Sequence, residues 1–292
     1  MSDTRHPSIV VVGSLHYDIM VDAPDRPRKG ETVTGHAWRP KFGGKGGNQA
    51  VAAAKAGAAV RMVGAVGDDD FGGFLLRALD EGKVDRSRVA VLAGTGSGMS
   101  VAISDAGGDY GAVIVSGANL GMDASVLREP ELWRGAGALI LQNEMPEAIN
   151  RAAAEAAKAA GVRVCLNAAP FRPLSAEFAA LVDILVVNAI EAEGMCGLVV
   201  SDLDAAVAAT EALGRDFAAV VVTAGGDGVA GCERGKPPIG IPARPVKLVS
   251  THGAGDVFVG ALAKALAYGE TFAASLKAAN EAAAAHVSTP QM

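Results

Sequence analysis

The sequence predicts an α/β protein whose mostly parallel central sheet is covered by helices on both faces. Three observations carry this. Short segments that are apolar throughout recur along the chain. Helix-like segments of about ten residues or more separate them, and strands buried on both faces read as continuous apolar runs rather than alternating ones. Half of the 292 residues are hydrophobic, enough for a sizeable core.

Taken in order, IVVVG (9–13) reads as a buried strand ended by Gly13, and NQAVAAAKAGA (48–58) as an Ala-rich helix that stops at Gly57. VRMVGAVG (60–67) is the next strand and FGGFLLRALDEG (71–82) the next helix. ALILQ (138–142) is a strand, followed by the helix PEAINRAAAEAAKAAG. VRVCLNAA (162–169), VDILVVN (182–188) and FAAVVVTAGG (217–226) are further apolar strands. Residues 30–42 and 98–116 break this rhythm. They alternate polar and apolar and carry the turn signal DAGGD. Such segments make antiparallel strands with one exposed face, here a small flap projecting over a site. With no long polar linker, heptad run or repeat, residues 1–292 are expected to form one domain.

The net charge is −6 and no basic block stands out, so nucleic acid is not an expected partner. Cys165, Cys196 and Cys232 show no CxxC spacing, and their odd number argues against a disulfide framework. The start, MSDTRHPSIVVVGS, is too polar for a signal peptide, and no apolar run is long enough to span a membrane. A cytoplasmic location is expected.

Several familiar chemistries are missing from the sequence. GGKGGN has Gly46 after Lys45 and is no P-loop, and no GxGxxG follows the first strand. There is no HExxH or Cys/His cluster and no GxSxG elbow. What stands out is THGAGD (251–256), which leaves an apolar strand and runs straight into a helix. Small residues there free backbone N–H groups at a helix start, where the macrodipole favours an anion. Asp256 beside them would accept a proton from a hydroxyl. Anion cradle plus base is the minimum equipment for moving a phosphoryl group onto an alcohol. A Gly turn with Asp as helix cap explains the same residues.

Upstream, FGGKGGNQAVAAA (42–54) surrounds Lys45 with Gly43, Gly44, Gly46 and Gly47 before Asn48. Lys45 and Asn48 would donate hydrogen bonds to a ligand close to the backbone; a flexible loop is the plain alternative. In VVGSLHYD (11–18), His16 and Asp18 follow the first strand at its carboxyl end, where ligands bind in open α/β sheets. VVNAIEAE and VVTAGGDG both follow apolar strands. Asn188 and Glu191 would organise a hydrated Mg²⁺, and Thr223 and Gly225 would meet phosphate oxygens. Helix capping and a tight turn are the alternatives.

In this order the motifs resemble the ribokinase branch of the PfkB carbohydrate-kinase family, over nearly the whole chain. GSLHYD resembles its GSxNxD, and GETVTG and GGKGGNQA the segments beside its flap strand. NAIEAE is similar to its NxxE, TAGGDG to its TxGxxG and GAGD to its anion-hole signature. The resemblance implies a ribokinase-like three-layer α/β/α fold with a small β-sheet lid, used for homodimerisation. It implies ATP and Mg²⁺, and a sugar hydroxymethyl group as acceptor. Asp256 becomes the catalytic base and the backbone of Gly253, Ala254 and Gly255 the anion hole. Asp18, Gly44, Lys45, Asn48 and Glu144 (in LQNEMP) hold the sugar, with His16 standing where ribokinases commonly have Asn. Asn188 and Glu191 serve the Mg²⁺–phosphate region, with Glu191 reaching the metal through water. Thr223, Gly225 and Gly228 lie by the nucleotide, and Asn280 near the adenine. Ser250 stands where the family often has the Asp that helps bind a potassium-like ion, so K⁺ activation does not follow from the resemblance. At the end, HVSTPQM departs from the family's last loop and final helix. The expected activity is phosphorylation of a pentose such as ribose or a related small sugar. The alternatives are a nucleoside kinase, including one for pseudouridine, and a sugar- or nucleotide-binding protein without turnover.

Overall fold

The computed structural model describes residues 6–105 and 110–289. The chain opens with β1 (Ser8–Val12), β2 (His16–Asp22) and β3 (Ala37–Gly43), then α1 (Lys45–Lys55), β4 (Val60–Gly67), α2 (Asp70–Glu81) and β5 (Asp85–Leu92). Next come β6 (Met99–Ser104), β7 (Tyr110–Val115), α3 (Pro130–Trp133), β8 (Ala136–Gln142), α4 (Glu147–Ala159) and β9 (Arg163–Asn167). They are followed by α5 (Ala176–Ala179), β10 (Ile184–Asn188), α6 (Ala189–Cys196), α7 (Leu203–Leu213) and β11 (Ala219–Thr223). The chain closes with β12 (Gly228–Glu233), β13 (Ile239–Pro242), α8 (Ala254–Ala267) and α9 (Phe272–Val287).

The main sheet has nine strands in the order β13-β12-β11-β10-β9-β8-β1-β4-β5. It is parallel from β11 to β5, and β12 and β13 add an antiparallel edge. Both faces are core, because alternate residues of each strand point opposite ways. Val10 and Val12 join Ala153 of α4, Phe178 of α5 and Ala206 of α7. Ile9 and Val11 join Ala50 of α1, Leu75 of α2, Phe258 of α8 and Leu276 of α9. The three layers expected from the apolar runs are present.

The lid is a separate four-stranded sheet, ordered β3-β2-β6-β7. It hangs from the main sheet by several crossings, and buried Asn119 pins two of them together. Its Oδ1 accepts from the Leu15 N–H at 2.9 Å, and its Nδ2 donates to the carbonyls of Leu15 and Ser116. Tyr17 of β2 stacks on Phe71 of α2 with ring centroids 4.0 Å apart, seating the lid's base on the main body.

Several sequence expectations change. His16 and Asp18 do not trail from β1; they begin a lid strand that the sequence reading left out. Within 30–42 only the part from Ala37 is strand. The stretch 98–116 holds β6 and β7, and DAGGD lies, apart from Asp105, outside the described residues. α1 starts at Lys45, ahead of the expected Asn48, because Gly44 turns the chain with φ 82° and the glycines that follow let the helix end press against Gly13. Between β9 and β10 there is one short turn of helix, α5, since Pro170 and Pro173 resist helix there. No strand precedes THGAGD: Leu248 and Val249 are exposed in an irregular segment after β13. Strands β5, β12 and β13 complete the sheet beyond what was expected. The three cysteines are free thiols.

Candidate active site

The amino ends of α1 and α8 meet above the carboxyl ends of β1, β8 and β9. The two helices approach closely at Gly260, where a side chain would strike Ala52 and Ala53. That contact brings α1 side chains onto the first turn of α8. Asn48 Nδ2 donates to Asp256 Oδ2 at 3.2 Å, and Gln49 Nε2 donates to Asp256 Oδ1 at 2.9 Å. Asp256 is 9% exposed. Burial pushes its carboxyl up to about 6, against the pull of the Lys45 charge and the two amide donors; the Glu144 carboxylate adds to the rise. A group poised there is ionised at neutral pH yet close enough to it to take a proton.

Glu144, at the start of the β8–α4 connection, is the second anchor. Its Oε2 accepts from the Ser14 hydroxyl at 2.5 Å and from the Lys45 backbone N–H at 2.8 Å. His16 Nδ1 lies 3.9 Å from the same oxygen, while His16 Nε2 is buried without a protein partner among the described residues. From the lid, Asp18 Oδ1 accepts from the Ser100 hydroxyl at 2.5 Å. Burial raises the Asp18 carboxyl above its usual range, opposed by Ser100 and His16. Gly43 is required here because a Cβ would run into the Asp18 carboxylate. Lys41 pairs directly with Asp18 across the β2–β3 ladder, so both face the cleft. Burial lowers the Lys41 pKa, and the carboxylates of Asp18 and Asp256 oppose that.

The other predicted residues form a row along the same edge of the sheet. Asn188 and Thr223 are register partners at the ends of β10 and β11. Asn188 and Glu191 make a complete capping box on α6: Asn188 Oδ1 accepts from the Glu191 N–H, and Glu191 Oε2 from the Asn188 N–H, both at 2.9 Å. The capping alternative is therefore present. Glu191 is also buried, which raises its carboxyl, with Lys45 opposing. Gly225 lies in an open turn, whereas Gly228 is wedged against Ile241 and pairs with Pro242. Asn280 donates to the Pro242 carbonyl at 3.0 Å, which ties α9 to that end of the row.

Gly253 links the two halves. It caps α8 with φ 80°, a left-handed conformation suited to Gly, and approaches His286 of α9. Of the expected anion-hole groups, the Ala254 N–H is turned to the Thr251 carbonyl at 3.3 Å. The N–H groups of Gly255 and Asp256, in the first turn of the helix, have no protein acceptor among the described residues.

Sequence reading missed Ser14, Lys41, Ser100, Gln49 and Asn167 as site residues. Gln49 was inside the quoted GGKGGNQA stretch, and Lys41 carries a period-2 relation to the lid. Ser14 was inside the quoted GSLHYD and Ser100 inside the flap segment 98–116, while Asn167 gave no signal. A cleft of about 1080 Å³ at the amino ends of β8 to β11 holds no comparable cluster. Lys158 pairs with Asp183 and Lys236 with Glu233 there, Arg163 donates to the Leu266 carbonyl, and Glu270 pairs with Lys264.

A family model described as pfkB family carbohydrate kinase matches residues 6–292. The chain belongs to this family. A ribokinase of Bacillus subtilis (strain 168) is 37% identical over 281 residues, 96% of this chain and 92% of its own length. A deoxyribokinase of Salmonella typhi is 33% identical, covering 87% of this chain and 84% of its own. Among solved structures, Arabidopsis thaliana ribokinase complexed with ribose and ATP superposes with a TM-score of 0.90 at 31% identity, over 98% of this chain and 94% of that one. Carbohydrate kinases of this family are phosphotransferases acting on a sugar hydroxyl, and the ribokinase-like fold expected from the motifs is the fold found.

Proposed function

We propose that this chain, acting as one kinase unit over residues 1–292, is an ATP-dependent kinase that phosphorylates the hydroxymethyl group of a pentose such as ribose or a closely related sugar. One observation carries the reading most: a buried carboxylate, Asp256, at the first turn of α8, gripped by Asn48 and Gln49 and set beside the Glu144–Lys45–Ser14 cluster. The named relatives act on ribose and deoxyribose, which supports a pentose without deciding between them.

ATP supplies the γ-phosphoryl group. The acceptor hydroxyl gives its proton to Asp256 as its oxygen bonds to that phosphorus, and the bond to the ADP oxygen breaks. Asn48 steadies one oxygen of the base, and it serves the sugar once that hydroxyl arrives. Asp18, Lys45, Glu144 and the backbone at Gly44 hold the remaining hydroxyls, with His16 filling the space beside them. In the Gly253–Ala254–Gly255 turn, the unengaged N–H groups of Gly255 and Asp256 receive negative charge as it develops, joined by that of Ala254 if its 3.3 Å bond to Thr251 opens. Thr223, Gly225, Gly228 and Asn280 line the nucleotide side with Asn188. For Mg²⁺ the donor set fits a hydrated ion: the capping box engages Glu191 Oε2 and leaves Oε1 for a metal-bound water. Closure of the lid excludes water that would otherwise take the phosphate.

The lid also supports a homodimer. On the face turned away from Asp18 and Lys41 it carries Ile19, Val21, Trp38, Val101, Ile103 and Val113, with Trp38 65% and Val113 68% exposed. An uncovered apolar sheet face of this kind marks an association surface, here for a second copy. Free cysteines, and the lack of any helix in the described residues long and apolar enough to cross a membrane, support a cytoplasmic location.

The test is ADP release from ATP–Mg²⁺ with a panel of pentoses, 2-deoxypentoses, hexoses and nucleosides, with and without K⁺, and Asp256→Asn as control. Release with a pentose, lost in the variant, sustains the reading. Release only with nucleosides moves the activity to the riboside alternative. Binding of sugar without release with any acceptor leaves the binding-protein alternative.

A further inference from the structure

Gln49 is fully buried, and the sugar cleft does not explain it. Its Nε2 donates twice, to Asp256 Oδ1 at 2.9 Å and to Asn167 Oδ1 at 3.0 Å. Asn167, at the end of β9, donates in turn from Nδ2 to the Val186 carbonyl of β10 at 3.2 Å. The chain of bonds thus runs from the main sheet's backbone to the carboxylate. Each link fixes the next. The β10 carbonyl accepts, so Asn167 presents its NH₂ there and its oxygen to Gln49. Two oxygens then face the Gln49 amide, so it presents its NH₂ to both. The cost is visible: Gln49 Oε1 is buried with no partner among the described residues. A buried orphan acceptor has given up its water without a replacement and calls for a reason.

We propose that Gln49 is a positioning residue for the phosphoryl-transfer base, locked by Asn167 so that Asp256 Oδ1 stays occupied, while Oδ2, held by the longer 3.2 Å bond from Asn48, is the oxygen that meets the acceptor hydroxyl. This rests on Asp256 being the base. Gln49 does two things to that carboxylate. It fixes which oxygen meets the substrate, and it favours the ionised form by donating to it. Lys45 favours ionisation from α1, Glu144 opposes it from the β8–α4 connection, and Lys41 faces it from the lid.

The test compares wild type, Gln49→Met, Gln49→Glu, Asn167→Ala and Asp256→Asn, reading kcat, sugar KM and the acid limb of kcat/KM against pH. Met keeps the volume but cannot donate, so kcat falls about 10- to 100-fold by loss of alignment, with little change in sugar KM. The acid limb moves up by roughly one pH unit, the scale of a lost hydrogen bond to a charged group. Glu places a second carboxylate against the first and moves the limb further up. Asn167→Ala moves it in the same direction by less, and serves as the readout if Gln49→Met fails to fold. An unmoved acid limb in the folded Gln49 and Asn167 variants, with Asp256→Asn inactive, overturns the positioning role alone. An active Asp256→Asn overturns the base assignment beneath it.

Discussion

In the nine-stranded sheet, Val10 and Val12 pack into one helical layer while Ile9 and Val11 pack into the other, so both faces of the central strands are core. The four-stranded lid obeys the same alternation with a different outcome. His16, Asp18, Lys41 and Ser100 point to the cleft, and Ile19, Val21, Trp38, Val101 and Val113 point away from it. Where the lid meets the body, its cleft-facing polar residues are buried, with Asp18 8% and Ser100 7% exposed, which inverts the pattern of a solvent-facing hairpin. The difference teaches that alternation in this chain separates a polar cleft face from an apolar outer face in the lid, and layer from layer in the body.

That contrast can be broken or sharpened by substitution. The largest effect belongs to the body. Asp256→Asn lowers turnover by about two to four orders of magnitude, the usual weight of a general base, measured by steady-state ADP release. Next comes the polar face of the lid. Asp18→Asn raises sugar KM by roughly 10- to 100-fold with little change for ATP, since a charged hydrogen-bond acceptor contributes about 1.5–3 kcal/mol. An equal effect on both substrates would mean that the lid's polar face is not specific to the sugar.

The same Asp256 variant has a smaller, opposite effect on stability. The folded carboxyl titrates at about 6 against an ordinary 3.8, so the folded state is penalised as pH rises through that window. Removing the charge therefore stabilises the protein at pH 8 relative to pH 4, by up to about 3 kcal/mol. Denaturant titrations at the two pH values read this directly. Asn119→Ala removes the pin between the lid crossings and costs about 1–3 kcal/mol, with faster amide exchange at Leu15. The smallest catalytic effect belongs to the lid's apolar face. Val113→Lys shifts dimer to monomer in sedimentation velocity while turnover per subunit holds. A dimer that survives it would move the association surface off this face.

The sequence by itself determined the body. Apolar runs such as IVVVG and VDILVVN are strands because nothing else buries them on both sides, and Gly and Asn at their ends mark the ligand edge. It also held Asp256, Lys45, Asn48, Asn188 and Glu191 in readable local patterns, because helix starts and Gly-rich turns are short-range chemistry. It did not reveal β2 as a lid strand: HYDIMVD lacks a hairpin turn to β3, and its parallel pairing with β6 joins residues far apart in the chain. Nor did it bring Gln49 to Asp256 and Asn167, which lie 207 and 118 positions away. Local propensity acts over a few residues, and these contacts exist only because α1 and α8 pack at Gly260 over the end of β9. The tertiary structure decided which amide holds each oxygen of the carboxylate, and which face of the lid turns to the cleft.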